Sequence, residues 1–396
     1  MERGSISGFR KMLPLSRDVI QIALGLTISN IGNIINIIIM GVLLSYLIRY
    51  PITLSLLPSL ASLRGSVAAS MASRVSTLLH LGVFKPSYKD ILGTEASRTL
   101  VLTLFSSLIA AFMVSYTTSF ALRNLLFISI TSSVLAYAIL LPSTAYIAVK
   151  VYIRGIDPDN IMTPLVTALG DITTLPLIAL ATLVTLNLLE DRFGPFIVLL
   201  LLYLSISYIV YAWLRDGKNK SVIMDTMPII IIVAVLESIT GALLVEYSEK
   251  LLKYGLLHAT PAFLSFSGAI ISIASAKQAT TYHLYGSERV TAEVPRRALE
   301  GLISAIIPGL ILSFLTSLFI GISRSLLIAG SLIIGIIIML TLLIPLSSVM
   351  TVTLSKAGFD PDNVIIPLAT TIVDLIGIPT LLFSAEILDR LGGLLT

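Results

Sequence analysis

Long apolar runs, each broken by a short polar segment, follow one another along the whole chain. They lie near residues 18–48, 52–82, 99–118, 124–149, 160–188, 195–214, 227–249, 261–284, 301–322, 326–350 and 363–388. A helix needs about 20 mainly apolar residues to cross the hydrocarbon core of a bilayer, and each run meets or exceeds that length. Backbone N–H and C=O groups in lipid must be satisfied within the segment, so each run predicts a helix. The expected fold is an all-α polytopic membrane protein of about eleven spans.

Composition agrees with this pattern. The chain is 56% hydrophobic and 12% charged, with a mean hydropathy of +0.98. A water-soluble domain needs more charge to cover its surface. Residues 1–17 are basic and polar (Arg3, Arg10, Lys11, Arg17), and the apolar run behind them is too long for a signal-peptide core, so no cleaved leader is expected.

A net charge of +4 could point to nucleic acid. The basic residues instead sit in short loops, where they orient helices and meet anionic headgroups. Membrane lipid is therefore an expected partner and nucleic acid is not. With the N-terminus inside, sixteen Lys and Arg fall on inner segments and seven on outer ones, while Arg64, Arg74 and Lys277 fall within spans. This bias predicts a multi-pass protein of the cell membrane with a cytoplasmic N-terminus and an extracellular C-terminus.

The chain also repeats itself. Asp157-Pro158-Asp159-Asn160 recurs as Asp360-Pro361-Asp362-Asn363, an offset of 203 residues. The same offset carries Pro164, Thr167, Asp171 and Pro176 onto Pro367, Thr370, Asp374 and Pro379. It also carries Pro58, Gly65, Arg74, Thr77 and His80 onto Pro261, Gly268, Lys277, Thr280 and His283. Two separate segments sharing one ungapped offset mark a tandem duplication. Five spans per half would invert the second copy, and the extra run at 195–214 restores its direction. The expected organisation is a first five-helix repeat over 1–190, a linking transmembrane helix in 191–220 and a second five-helix repeat over 221–396. Parallel repeats place a transport pathway at their interface, and the pseudo-twofold lets a monomer function.

The absence of cysteine and the presence of three histidines leave oxygen as the metal-ligating atom. Oxygen suits Mg²⁺, Ca²⁺ or Mn²⁺. Asp171 and Asp374 each lie 14 residues after Asp157 or Asp360, which is roughly 20 Å along a helix and deep in the membrane. A carboxylate at that depth costs at least about 2.5–3.5 kcal/mol, which makes it a functional candidate. The alternative is a structural ion pair with Arg64, Arg74 or Lys277.

Asn160, Pro164, Thr167, Asp171 and Thr174 follow a 4-3-4-3 spacing on one helix face, and Asn363, Pro367, Thr370, Asp374 and Gly377 repeat it. Pro164 and Pro367 cannot donate to the carbonyls of Asn160 and Asn363, which adds backbone oxygen to each stripe. Asp157 and Asp360 before proline also fit an ordinary helix start. The serines of the second helix of each half, among them Ser59, Gly65 and Ser66, then Ser265 and Gly268, fit close helix packing. Glu237, with Asn30, Asn33 and Asn36 as rough counterparts, is left open as a second cation or proton site.

At these residues the chain resembles the MgtE family of magnesium channels, and more closely its duplicated solute-carrier relatives. The resemblance implies that Asp171 and Asp374 are the ion-selecting carboxylates of the pore. It implies that Thr167 and Thr370 contact the ion's hydration shell, and that Asp157 and Asp360 bind ions on the cytoplasmic side. The family's Gly-Asn pair on the second helix is replaced here by Gly65-Ser66 and Gly268-Ala269. The family's soluble regulatory domains have no counterpart in this sequence.

The expected function is therefore passage of a divalent cation, Mg²⁺ first, by a channel or by a carrier using Na⁺ or H⁺ as coupling ion. Mn²⁺ or Co²⁺ is the alternative cargo. An intramembrane enzyme of the prenyl-transferase kind, holding Mg²⁺-diphosphate on an Asp-rich motif, is the remote alternative. It would need clustered carboxylates beside basic phosphate binders, and the sequence offers only paired aspartates at two helix starts.

Overall fold

The computed structural model describes residues 17–80, 87–154, 158–188, 194–215, 217–320, 325–359 and 361–395. Eleven helices occupy them: α1 (Arg17–Arg49), α2 (Pro51–His80), α3 (Tyr88–Thr118), α4 (Leu122–Ile153), α5 (Pro158–Leu188), α6 (Gly194–Arg215), α7 (Gly217–Tyr254), α8 (Thr260–Tyr285), α9 (Ser287–Ile320), α10 (Ser325–Lys356) and α11 (Pro361–Leu395). No strand occurs among the described residues. The protein is all-α and polytopic.

Turns are short and locally specified. Gly255, with φ 75°, follows the last turn of α7, and Gly286, with φ 77°, follows α8. Both are left-handed conformations that glycine adopts without a Cβ clash. Among the described residues, nine helices are long and apolar enough to cross a membrane. The two that fall short, α2 and α8, stand at the same place in each half. Their serines, threonines, alanines and glycines lower the hydropathy, and those small side chains let other helices approach closely.

Packing within the two halves follows one plan. In the first, α5 packs against α1, α2 and α4; in the second, α11 packs against α7, α8 and α10. The first helix of each half crosses to the other: α1 packs on α8 and α9, and α7 packs on α2 and α3. The crossing contacts are tight. A Cβ on Gly241 of α7 would run into the backbone carbonyl of Ser55 on α2. Asn30 of α1 donates from Nδ2 to the carbonyl of Pro308 on α9 at 2.6 Å.

One hydrophobic cluster runs through both halves, from Leu56 and Leu60 on α2 to Phe263 and Phe266 on α8. Helix α6 lies apart, against α3, α4 and α7. Its Phe196, Leu199, Tyr203 and Leu214 are exposed, the pattern expected of a lipid-facing helix.

Candidate cation site

Helices α5 and α11 begin at Pro158 and Pro361, where the fixed proline φ suits a first turn. Asp157 and Asp360 lie outside the described residues. Asn160, Thr167 and Asn363 lie on α5 and α11, but their side chains are also outside the described set. The carboxylates of Asp171 and Asp374 sit further along, where each helix meets the opposite half: α5 touches α8, and α11 touches α2.

Asp171 and Asp374 lie within electrostatic range of each other. Asp171 stands beside Ser265 of α8, and Asp374 stands beside Glu237 of α7. Glu237 also faces Ser62 of α2 and Thr371 of α11. These neighbours do not close hydrogen bonds of ordinary geometry. Asp171 Oδ2, both Glu237 carboxylate oxygens and Ser265 Oγ are buried without a partner. Glu237 is 0% exposed. Buried acceptors of this kind cost about 1–3 kcal/mol each unless something donates to them or neutralises them.

The ion-pair alternative does not describe Asp171 or Asp374. Arg74 pairs with Glu95 at 2.9 Å, and Arg98 pairs with the other oxygen of Glu95 at 3.1 Å. Arg64 donates to Ser132 at 2.6 Å and to Ser133 at 3.3 Å. Among the described residues, neither of the two aspartates has a salt-bridge partner.

The threonine of the second stripe is placed differently from a simple ligand. Thr370 donates its hydroxyl hydrogen to the carbonyls of Ile366 and Pro367 at 3.1 and 3.0 Å, and Thr371 donates to Pro367 at 2.8 Å. Donation fixes the rotamer and leaves the oxygen lone pairs as acceptors. Thr174 in the first stripe bonds back to Gly170 at 2.7 Å in the same way.

Among the described residues, no three His, Cys, Asp or Glu converge closely enough to wrap a bare metal ion. The donor set is two aspartates from opposite halves, one glutamate and several hydroxyl oxygens. It suits a cation that keeps its water shell and is held through those waters, as Mg²⁺ characteristically does.

One residue of this neighbourhood escaped the sequence reading. Ser62 was not singled out, although it stands 203 residues before Ser265. The neighbourhood of Glu237 and Asp374 joins residues far apart in sequence on α7 and α11, and no local pattern announces it. On α1, the first helix of the other half, Asn33 donates to Asn30 Oδ1 at 3.3 Å, and Asn30, Asn33 and Asn36 are all buried.

Comparison with known proteins brings a family model described as a divalent cation transporter, MgtE, which matches residues 57–181 and again 260–384. The two matches start 203 residues apart, the offset of the repeated motif. Solute carrier family 41 member 2 of Xenopus laevis is 24% identical over 372 residues, covering 85% of this chain and 65% of the relative. The Homo sapiens member 2 is 24% identical over 368 residues, covering 85% and 64%. Solute carrier family 41 member 3 of Mus musculus is 24% identical over 377 residues, covering 85% and 76%. The chain thus spans a little under two thirds of the member 2 relatives. No solved structure gives a significant match.

Proposed function

The chain belongs to the MgtE family of divalent cation transporters, and from that premise we propose that it carries Mg²⁺ along one pathway between its two halves. The halves are residues 1–190 and 221–396, joined by a linking helix in 191–220, and they run parallel about an axis normal to the membrane. The N-terminus is cytoplasmic, the C-terminus is extracellular, and one chain forms a complete pathway. The observation that supports this reading is that Asp171 and Asp374, from opposite halves, lie within electrostatic range of each other, and among the described residues neither has a salt-bridge partner.

Two negative charges in a low-dielectric interior repel, and a divalent cation between them restores neutrality. Hydroxyl oxygens of Thr167 and Thr370 accept from the ion's waters. Asp157, Asp360, Asn160 and Asn363 gather cations at the cytoplasmic end of the pathway. A hydrated ion loses little of its shell in such a site, which keeps binding weak enough for release.

A carrier using Na⁺ or H⁺ as coupling ion is the second reading. Glu237 favours it, because a third carboxylate beside Asp374 exceeds the charge that one divalent cation neutralises. Flux into proteoliposomes separates the two. Mg²⁺, Mn²⁺, Co²⁺ and Ca²⁺ entry is followed with and without Na⁺ and pH gradients. Mg²⁺ entry with no second gradient supports the channel, and entry that collapses without one supports the carrier. Folded protein that moves no divalent cation under any gradient would end both readings.

A further inference from the structure

A second polar interior lies in the first half, apart from the carboxylates. Between α2, α3 and α4 there is a small cavity of about 20 Å³, room for one water-sized body or small ion, whose wall includes Arg64, Thr99, Thr103, Ser133, Tyr137 and Thr144. Arg64 is 4% exposed, at the middle of an intramembrane helix. Its Nη2 is held by Ser132 and Ser133. Its Nε and Nη1, with Thr99 Oγ1 and Thr144 Oγ1, are buried without a partner. The phenol of Tyr137 is already committed, donating to the carbonyl of Ala96 at 2.9 Å.

We propose that this cavity binds one small monovalent anion of the chloride class on the Arg64 guanidinium, assisted by the hydroxyls of Thr99 and Thr144.

The wall carries no carboxylate: the residues that bear the guanidinium charge, its two unpartnered N–H edges and two unpartnered hydroxyls surround a space otherwise lined by Val67, Ala68, Met71, Leu140 and Leu141. A cation is repelled there. A neutral molecule would leave the guanidinium charge buried and uncompensated, which is strongly unfavourable. Only one positive charge is present, so a monovalent anion reaches neutrality, whereas sulfate or divalent phosphate would bring an excess charge into a low-dielectric wall.

Glu95, Thr99 and Thr103 follow one another at four-residue spacing on α3, and Arg74 lies ten residues beyond Arg64 on α2. Arg74 and Arg98 pair with the two carboxylate oxygens of Glu95, and their side chains are 17% and 12% exposed. The second half has no equivalent, because the 203-residue offset puts Ser267 in the place of Arg64. One chain therefore holds one such anion.

This inference is independent of the transport reading, and its test involves no divalent cation. Purified protein is melted in detergent at fixed ionic strength, free of divalent ions, while chloride, bromide or sulfate replaces gluconate. A ligand of the folded state raises the melting temperature by mass action. The expected result is a saturable rise with chloride and bromide, abolished in Arg64→Gln, with the half-saturating concentration raised several-fold in a Thr99→Val, Thr144→Val double variant. If Arg64→Gln does not fold, the double threonine variant decides. No difference between chloride and gluconate in the unmodified protein would overturn the proposal and assign the cavity to water. Sulfate saturating at lower concentration than chloride would overturn the monovalent class.

Discussion

Asp171 and Ser265 belong to opposite halves of the chain, and their side chains stand together where α5 meets α8. The 203-residue offset turns this pair into Asp374 and Ser62, and there Glu237 of α7 stands between the two. The interface is thus twofold in its aspartates and serines and single in its glutamate.

Asp171 and Asp374 act on one ion if the pathway is shared. Replacing either by Asn keeps shape and removes one charge. Each single variant is expected to lose about tenfold or more of Mg²⁺ flux, equivalent to about 1.4 kcal/mol of lost ion stabilisation. The double variant should be little worse than the worse single one, because residues acting as a unit are not additive. Flux in proteoliposomes reads this directly. Single variants that each retain half the flux, with only the double inactive, would mean two independent pathways.

Glu237→Gln replaces a buried carboxyl group whose oxygens have no hydrogen-bond partner. The amide can donate to Asp374, Ser62 or Thr371. In divalent-free buffer the variant should be more stable by about 1–3 kcal/mol, since an unsatisfied buried group is replaced by a bonded one. The additional stabilisation produced by Mg²⁺ should shrink in the same variant. Thermal melts with and without Mg²⁺ test both parts, and a variant less stable than the parent without divalent ions would refute this account of Glu237.

Gly241→Ala tests the crossing of the halves. Alanine favours a helix over glycine by about 0.8–1.0 kcal/mol, so an unobstructed change should stabilise. At 241 the new Cβ meets the Ser55 carbonyl, a backbone atom that cannot rotate away. A net loss of about 1–3 kcal/mol is expected, the usual cost of overpacking. Gly93→Ala on α3 is the control, because nothing lies within 4 Å of a Cβ there. Equal melting shifts for the two variants would disprove the close approach.

His258 lies in the turn between α7 and α8, outside the spans, and burial pushes its pKa below the usual 6.5. The folded state therefore prefers the neutral imidazole. Its contribution to stability is complete above pH 6.5 and is lost as pH falls below that value toward the folded pKa. Melting temperature should drop between roughly pH 7.5 and 5.5, and His258→Gln should flatten that slope. An unchanged slope in the variant would assign the acid sensitivity elsewhere.

Much of this protein is legible in one dimension. Apolar runs long enough for a bilayer specify helices, since lipid offers backbone groups no other partner, and all eleven appear close to the runs that announce them. The duplication is equally plain: a rigid offset of 203 residues carries prolines, threonines and aspartates together, and the family model matches twice at that same spacing. Depth along a helix marks Asp171 and Asp374, because ionised groups in lipid are costly enough to be rare.

Only the tertiary structure decides which charges meet. Arg64, Arg74 and Asp171 all fall within apolar spans by sequence, yet Arg74 finds Glu95, Arg64 finds two serines, and Asp171 finds Ser265. Glu237 comes beside Asp374 because α7 crosses to pack on α2 as well as α11. Helix period and hydropathy set which face of a helix is polar; they do not set which neighbour that face meets. Crossing is governed by close contacts such as Gly241 against Ser55, whose partners lie far apart in the chain and share no local pattern.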